Sequence, residues 1–126
     1  MTMRPPDPRD AVQRGQAIER YAQDWLEQQG LLPVARNQRF PGGELDLVMR
    51  DGDTLVFVEV RHRRTARHGS AAETITTTKQ RRLVRAARFY LQHNGLSCPC
   101  RFDVLAITGA PPQLETEWLA NAFEAN

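Results

Sequence analysis

"GGELDLVMRDGDTLVFVEVRHRR" spans Gly42 to Arg64 and consists of two apolar runs on either side of Asp51-Gly52, each interrupted by an acid. Apolar runs flanking Asp-Gly predict a β-hairpin. Asp46 stands inside "ELDLVM" and Glu59 inside "LVFVEV", where both carboxylates risk burial. An isolated buried carboxylate is costly, so a fold that buries these two must compensate them. The hairpin register decides whether one compensation can serve both.

A two-residue Asp51-Gly52 turn pairs Arg50 with Asp53, and so puts Phe57 opposite Asp46 and Glu59 opposite Glu44. Side chains alternate with period two, so Glu44, Asp46, Phe57, Glu59 and Arg61 share one face. Asp46 and Glu59 become diagonal neighbours, roughly 7–8 Å apart at the backbone, with carboxylates able to converge. A four-residue loop sets them directly opposite, also on one face, whereas a three-residue loop splits them unless a bulge intervenes. Two carboxylates ~5 Å apart at an effective dielectric of ~20 repel by about 3 kcal/mol. A shared proton, pairing with Arg61 or a bound divalent cation each relieves that repulsion. Paired strand carboxylates beside a cation match what metal-assisted phosphodiester hydrolysis needs, and Mg²⁺ characteristically takes one or two carboxylates plus water and substrate oxygens. On spacing alone, internal salt bridges, Glu59 to Arg61 or Arg101 to Asp103, are the alternative.

The surrounding chain predicts an α/β protein with the order αβββαβ and an α/β tail, a mixed sheet flanked by helices. "DAVQRGQAIERYAQDWLEQQG" reads as a helix capped by Asp10 and stopped by Gly30, burying Ile18, Tyr21, Ala22, Trp25 and Leu26. "LLPVARNQRF" reads as a short edge strand weakened by Pro33, and "RHRRTARHGSAAET" as a basic loop. The second helix runs from about Thr77 to His93, ends at Asn94-Gly95, and buries Leu83, Ala86, Ala87, Tyr90 and Leu91. "RFDVLAIT" is a further strand, and "QLETEWLANAFEAN" a weak strand followed by a short terminal helix. The polar, proline-rich "MTMRPPDPRD" predicts a disordered leader over residues 1–10, with a single domain over 11–126.

A chain of 126 residues is long enough for one domain with a real core. It has no apolar run that could span a membrane and no signal-peptide pattern, so no membrane partner is expected. Cys98 and Cys100 are separated by one proline, which suits neither an ordinary disulfide nor a structural zinc site. A reducing cytoplasm is the expected compartment.

The net charge is only +2, yet Arg61 to Arg88 holds nine Lys or Arg against a single acid, Glu73. Such segregation predicts a basic surface for a polyanion; a solvated arginine-rich helix is the alternative. Sixteen of the seventeen basic residues are Arg, and the sole lysine is Lys79. At 100° per residue, Arg81, Arg85 and Arg88 fall within about 60° of one another on the second helix. Lys79 points the opposite way, with Leu83, Ala86 and Tyr90, towards the sheet. It is either an active-site group or a lysine snorkelling at the core edge.

Asp46, thirteen positions before "Glu59-Val60-Arg61", resembles the metal-binding core of the PD-(D/E)XK nucleases. The ordered set "G-QAIERYAQDWLEQQG", "RNQRFPGGELDLV", "LVFVEVRHR", "K-QRRLVRAARFYL" and "RFDVLAI" is similar to the YraN family, bacterial proteins with a Holliday-junction-resolvase-like fold. The resemblance covers about Gly15 to Phe123 and implies a restriction-endonuclease-like αβββαβ core and a nucleic-acid partner, DNA in preference to RNA. It also implies a Mg²⁺ or Mn²⁺ cofactor held by Asp46 and Glu59, with the Val60 carbonyl as a further ligand. Glu19 would be an outer acid acting through water; by itself it reads as a solvent-facing helix acid. Glu44 would lie at the edge of the site. Arg61 and Lys79 would complete the catalytic set, and Arg63, Arg64, Arg67, Arg81, Arg85 and Arg88 would contact nucleic acid. A homodimer would suit a two-stranded target.

Two positions depart from the superfamily pattern. Leu45 replaces the proline, and Arg61 replaces the lysine. Arginine keeps the charge but is effectively always protonated, so it cannot act as a base. The expected function is therefore a metal-dependent endonuclease, with a non-catalytic nucleic-acid-binding module as the alternative. In a third reading the acids are only an ion-pair network in an interaction subunit.

Overall fold

The hairpin forms, with its turn one residue later than expected. In the computed structural model, which describes residues 8–65 and 75–125, Asp51 pairs with Thr54 across Gly52-Asp53. Gly52 has φ +60 and Asp53 is not left-handed, the pattern of a type II′ turn with glycine at its first central position. The strands are β2 (Gly43–Asp51) and β3 (Thr54–Arg63), in register from Leu47↔Val58 to Asp51↔Thr54. Phe57 therefore faces Val48, not Asp46. Carried one step beyond Leu47, this register sets Asp46 level with Glu59 instead of diagonal to it.

Around the hairpin the chain runs α1 (Pro8–Gln28), β1 (Leu32–Phe40), β2, β3, α2 (Thr77–His93), β4 (Cys100–Ala110) and β5 (Gln113–Phe123). The sheet order is β1-β2-β3-β4-β5; β3 and β4 are parallel and every other pair is antiparallel. This is a mixed α/β sheet of the restriction-endonuclease-like type, with α2 as the crossover that parallel strands require. Ala22 and Leu26 of α1 pack on Leu47, Met49, Val56, Val58, Leu105 and Ile107. Leu83, Val84, Ala86, Ala87 and Tyr90 of α2 pack with Leu45, Val48, Leu55, Phe57 and Phe102 in a second cluster. Helices cover both faces, which is why the central strands read as nearly continuous apolar runs. Among the described residues no helix is long and apolar enough to cross a membrane.

Three expectations need correction. Helix α1 starts at Pro8, a residue suited to a helix's first turn, so Asp10 lies inside the helix and does not cap it. Residues 8–10 of the expected leader are thus helical, and residues 1–7 lie outside the described residues. The chain end is not a strand and helix but one strand, β5. Phe123 stacks on Phe102 with ring centroids 5.0 Å apart, and Trp118 and Asn121 both bind Asp103. These long-range contacts hold the segment extended. Of the expected basic loop, Arg61 to Arg63 continue β3, and residues 66–74, Arg67 among them, lie outside the described residues.

Candidate functional site

Strict alternation would put Leu45 and Leu47 on one face, yet Leu45 packs with Val48 on the α2 side and Leu47 with Met49 on the α1 side. The break falls at Asp46. Opposite it the ladder steps from Arg36↔Leu47 to Gln38↔Leu45, and the skipped residue, Asn37, is left-handed with φ 52. Asparagine tolerates that conformation better than most residues. Asp46 consequently lines a cavity on the α1 side together with Glu19, while its carboxyl still meets that of Glu59. Glu59 keeps the expected face, beside Phe57 and towards α2.

Two groups fix this arrangement. The Val60 N–H donates to Asp46 Oδ2 at 3.0 Å, tying the two strands beyond their regular ladder. Lys79 Nζ lies 3.4 Å from Glu59 Oε1. The helix that carries Lys79 is capped by Thr76, whose hydroxyl accepts the Lys79 N–H at 3.1 Å. It also sits tightly on the turn between β1 and β2: a Cβ at Gly43 would come within 2.5 Å of the Arg82 carbonyl oxygen. Glycine there allows α2 to approach the carboxylates.

The electrostatics follow from burial. Glu59 is 4% exposed, and desolvation, reinforced by the Asp46 charge and opposed by Lys79, pushes its carboxyl up to about 7. Burial also raises Asp46, offset by the Val60 N–H and by its hydrogen bond with Glu59. Burial and mutual repulsion therefore make the pair take up its first proton at a higher pH than an ordinary carboxyl does. Glu19 is raised by burial and then by Asp46, and Asn37 hydrogen-bonds to it. Like charges crowd here with one lysine among them, which is the condition a divalent cation relieves.

The other expected residues are distributed around this centre. Arg61 and Arg63 are half-buried on β3, each with an interaction partner, and Arg64 lines the α1-side cavity. Arg81, Arg85 and Arg88 are exposed and line one groove along α2 with Glu124. Arg85 also borders a second cleft with Lys79, Arg39 and Arg82. Arg82 and Asn37 were not identified from the sequence. Arg82 is only one of the nine basic residues from Arg61 to Arg88, and the clue to Asn37 is a residue fit for left-handed backbone inside a strand pattern. The Arg101–Asp103 salt bridge exists at 3.1 Å but lies apart, within β4, and Arg101 Nη1 also reaches Asp51 of β2 at 2.8 Å.

The model of the uncharacterised protein family UPF0102 matches residues 18–107, which spans both carboxylates, Lys79 and the strand of Asp103. A UPF0102 protein of Chromohalobacter salexigens is 61% identical over 92% of this chain and 94% of its own length. One of Aeromonas hydrophila is 51% identical over 90% of this chain and 86% of its own. The UPF0102 protein YraN of Escherichia fergusonii is 50% identical over 88% and 84%. The chain belongs to the uncharacterised protein family UPF0102.

Proposed function

We propose that this protein binds nucleic acid, DNA in preference to RNA, and hydrolyses its phosphodiester bonds with the help of Mg²⁺. The observation that carries the reading is the buried Asp46–Glu59 pair with Lys79 3.4 Å from Glu59. The donor set suits the ion. Asp46 and Glu59 offer hard carboxylate oxygens, and Mg²⁺ characteristically binds one or two carboxylates and keeps several waters.

In this reading Asp46 and Glu59 hold the ion, with the Val60 carbonyl as a further ligand and Glu19 as an outer acid. Bound Mg²⁺ would supply a Lewis acid to the phosphate and make water a better nucleophile. Lys79 sets its charge beside Glu59 and orients the phosphate, while Arg61 contributes positive charge without acting as a base. The Arg81, Arg85 and Arg88 groove continues from the Lys79 cleft through Arg85, which supports it as a track for the phosphate backbone. A second reading, a binding module with a degenerate site, is favoured by Arg61 standing where the nuclease pattern has lysine.

Two measurements test the proposal together. Mg²⁺ or Mn²⁺ should raise the melting temperature of the wild type and not of Asp46→Ala, since a ligand at a hundred times its Kd stabilises by about 2.7 kcal/mol. Wild type should cleave labelled DNA when Mg²⁺ is present, and Asp46→Ala should not. A melting shift without cleavage supports the binding module. Cleavage that survives Asp46→Ala points to another site.

A further inference from the structure

Asp46 stands in the wall of a cavity of about 820 Å³ on the α1 side of the sheet. That size is within the range of roughly 300–1,000 Å³ found for small-molecule pockets. Its walls differ in character from a phosphate track. Ile18, Tyr21 and Leu114 give it apolar surface, and a 2.7 Å hydrogen bond between the Tyr21 hydroxyl and Thr116 Oγ1 fixes the ring. Arg14 and Arg64 add two cations to the same lining, matched there by the acids Glu19 and Asp46. Across the carboxylates, the cleft of about 630 Å³ beside α2 is the reverse. Arg39, Lys79, Arg82 and Arg85 line it against one acid, Glu44, among the described residues.

One side of the acidic pair is therefore a cationic cleft, and the other a largely apolar pocket whose two arginines and two acids offset one another. Phosphates suit the first. The second fits a flat, largely apolar group attached to a phosphate. A nucleobase meets that description, but a base inside a duplex has both faces covered by its neighbours. An unpaired base enters a pocket at the least cost, because a paired one must first be unpaired and unstacked.

We infer that the α1-side cavity receives the base of an unpaired nucleotide adjoining the phosphodiester at Asp46 and Glu59, while the Lys79 cleft carries the backbone of the neighbouring duplex. The inference rests on the nuclease-like reading of that site and narrows its substrate class. The preferred ligand is a duplex with an unpaired strand end, and fully paired duplex is a poorer one.

The test uses the full-length protein and two DNA probes, a forked duplex with 2-aminopurine as the first unpaired nucleotide and the same sequence fully paired. Binding is measured with Ca²⁺ present, so that it does not depend on turnover. Wild type should prefer the fork by about fivefold or more, the low end of what stacking one base contributes, and should change the probe's emission. Gly15 lines the cavity, and a Cβ there would meet nothing within 4 Å, so Gly15→Phe can fill the space from the helix. It should abolish the preference and the emission change while leaving paired-duplex binding within about twofold, because phosphate contacts made elsewhere dominate that affinity. Gly15→Ala should behave as wild type. Ala17→Trp, at another lining position, takes the place of Gly15→Phe if that variant melts early. Equal binding of both probes, or a fork preference that survives the filled cavity, overturns the inference while leaving the nuclease-like reading intact. Failure to bind either probe overturns both.

Discussion

Lys79 Nζ lies 3.4 Å from Glu59 Oε1, and Glu59 in turn hydrogen-bonds to Asp46, so the chain's one lysine joins α2 to the acid pair of the hairpin. The contact is only partly screened: the lysine side chain is one-third exposed and that of Glu59 is 5% exposed. Lys79 offsets one carboxylate where two are crowded, and proton uptake by the pair relieves the rest.

That proton sets a pH dependence. Glu59 titrates at about 7 in the folded protein against an ordinary 4.5, so the folded state binds the proton more tightly than the unfolded chain. The resulting stability is fully present below pH 4.5 and is lost as pH rises through about 7. The span corresponds to about 3 kcal/mol for the pair. In metal-free buffer the melting temperature of the wild type should fall between pH 5 and 7.5 relative to Glu59→Gln, which has no proton to lose. Parallel profiles for the two proteins would show that the pair takes up no proton in this range.

The acid pair was legible because each carboxylate interrupts an apolar run. The turn moved from Asp51-Gly52 to Gly52-Asp53, and the expected shared face was lost where Asp46 turns to the α1-side cavity, yet its carboxyl still meets that of Glu59. The position of Lys79 was legible from helical phase alone. The break at Asp46 was hidden because it depends on Asn37, which belongs to another strand. The tail misled for a similar reason. Trp118, Leu119, Ala122 and Phe123 fall at helical spacing, but Trp118 and Asn121 answer to Asp103 in β4. No local pattern carries that information.

Asp103 should prove structural. It is 0% exposed and accepts hydrogen bonds from Arg101 Nε at 3.1 Å, Trp118 Nε1 at 3.0 Å and the Asn121 N–H at 2.8 Å. The ladder between β4 and β5 is irregular between Phe102 and Val104, so this carboxylate serves a backbone N–H beside the irregularity. Asp103→Ala strands those donors and should cost about 3–5 kcal/mol in urea unfolding. Its Mg²⁺-induced melting shift should match the wild type. Loss of that shift in a folded Asp103→Ala protein would mean that the network supports the site after all.

The arginine groove makes a separate prediction through salt. Arg81 and Arg85 are exposed and line it together. If they neutralise phosphates, Arg81→Glu with Arg85→Glu should weaken duplex binding across all sequences and flatten the salt dependence by ~0.9 per lost contact. Isotherms at several salt concentrations measure the slope directly. An unchanged slope would assign this face to ordinary solvated surface.

The final prediction concerns the division of labour between Arg61 and Lys79. Arg61 holds a positive charge on β3, but a guanidinium does not give up its proton under working conditions. Lys79 reaches the same carboxyl layer from α2 and is held there by the Thr76 cap. If the site is catalytic, Arg61→Lys should preserve or increase Mg²⁺-dependent cleavage, because a lysine there can supply the same charge. Lys79→Ala should reduce cleavage by more than its effect on stability explains, with the loss in kcat if Lys79 orients the phosphate in the transition state. Removing the lysine should also push Glu59 further up, since Lys79 is the group that lowers it. The metal-free stability profile of Lys79→Ala should then shift to higher pH than that of the wild type. A snorkelling lysine with no part in the site would move neither the cleavage rate nor that profile.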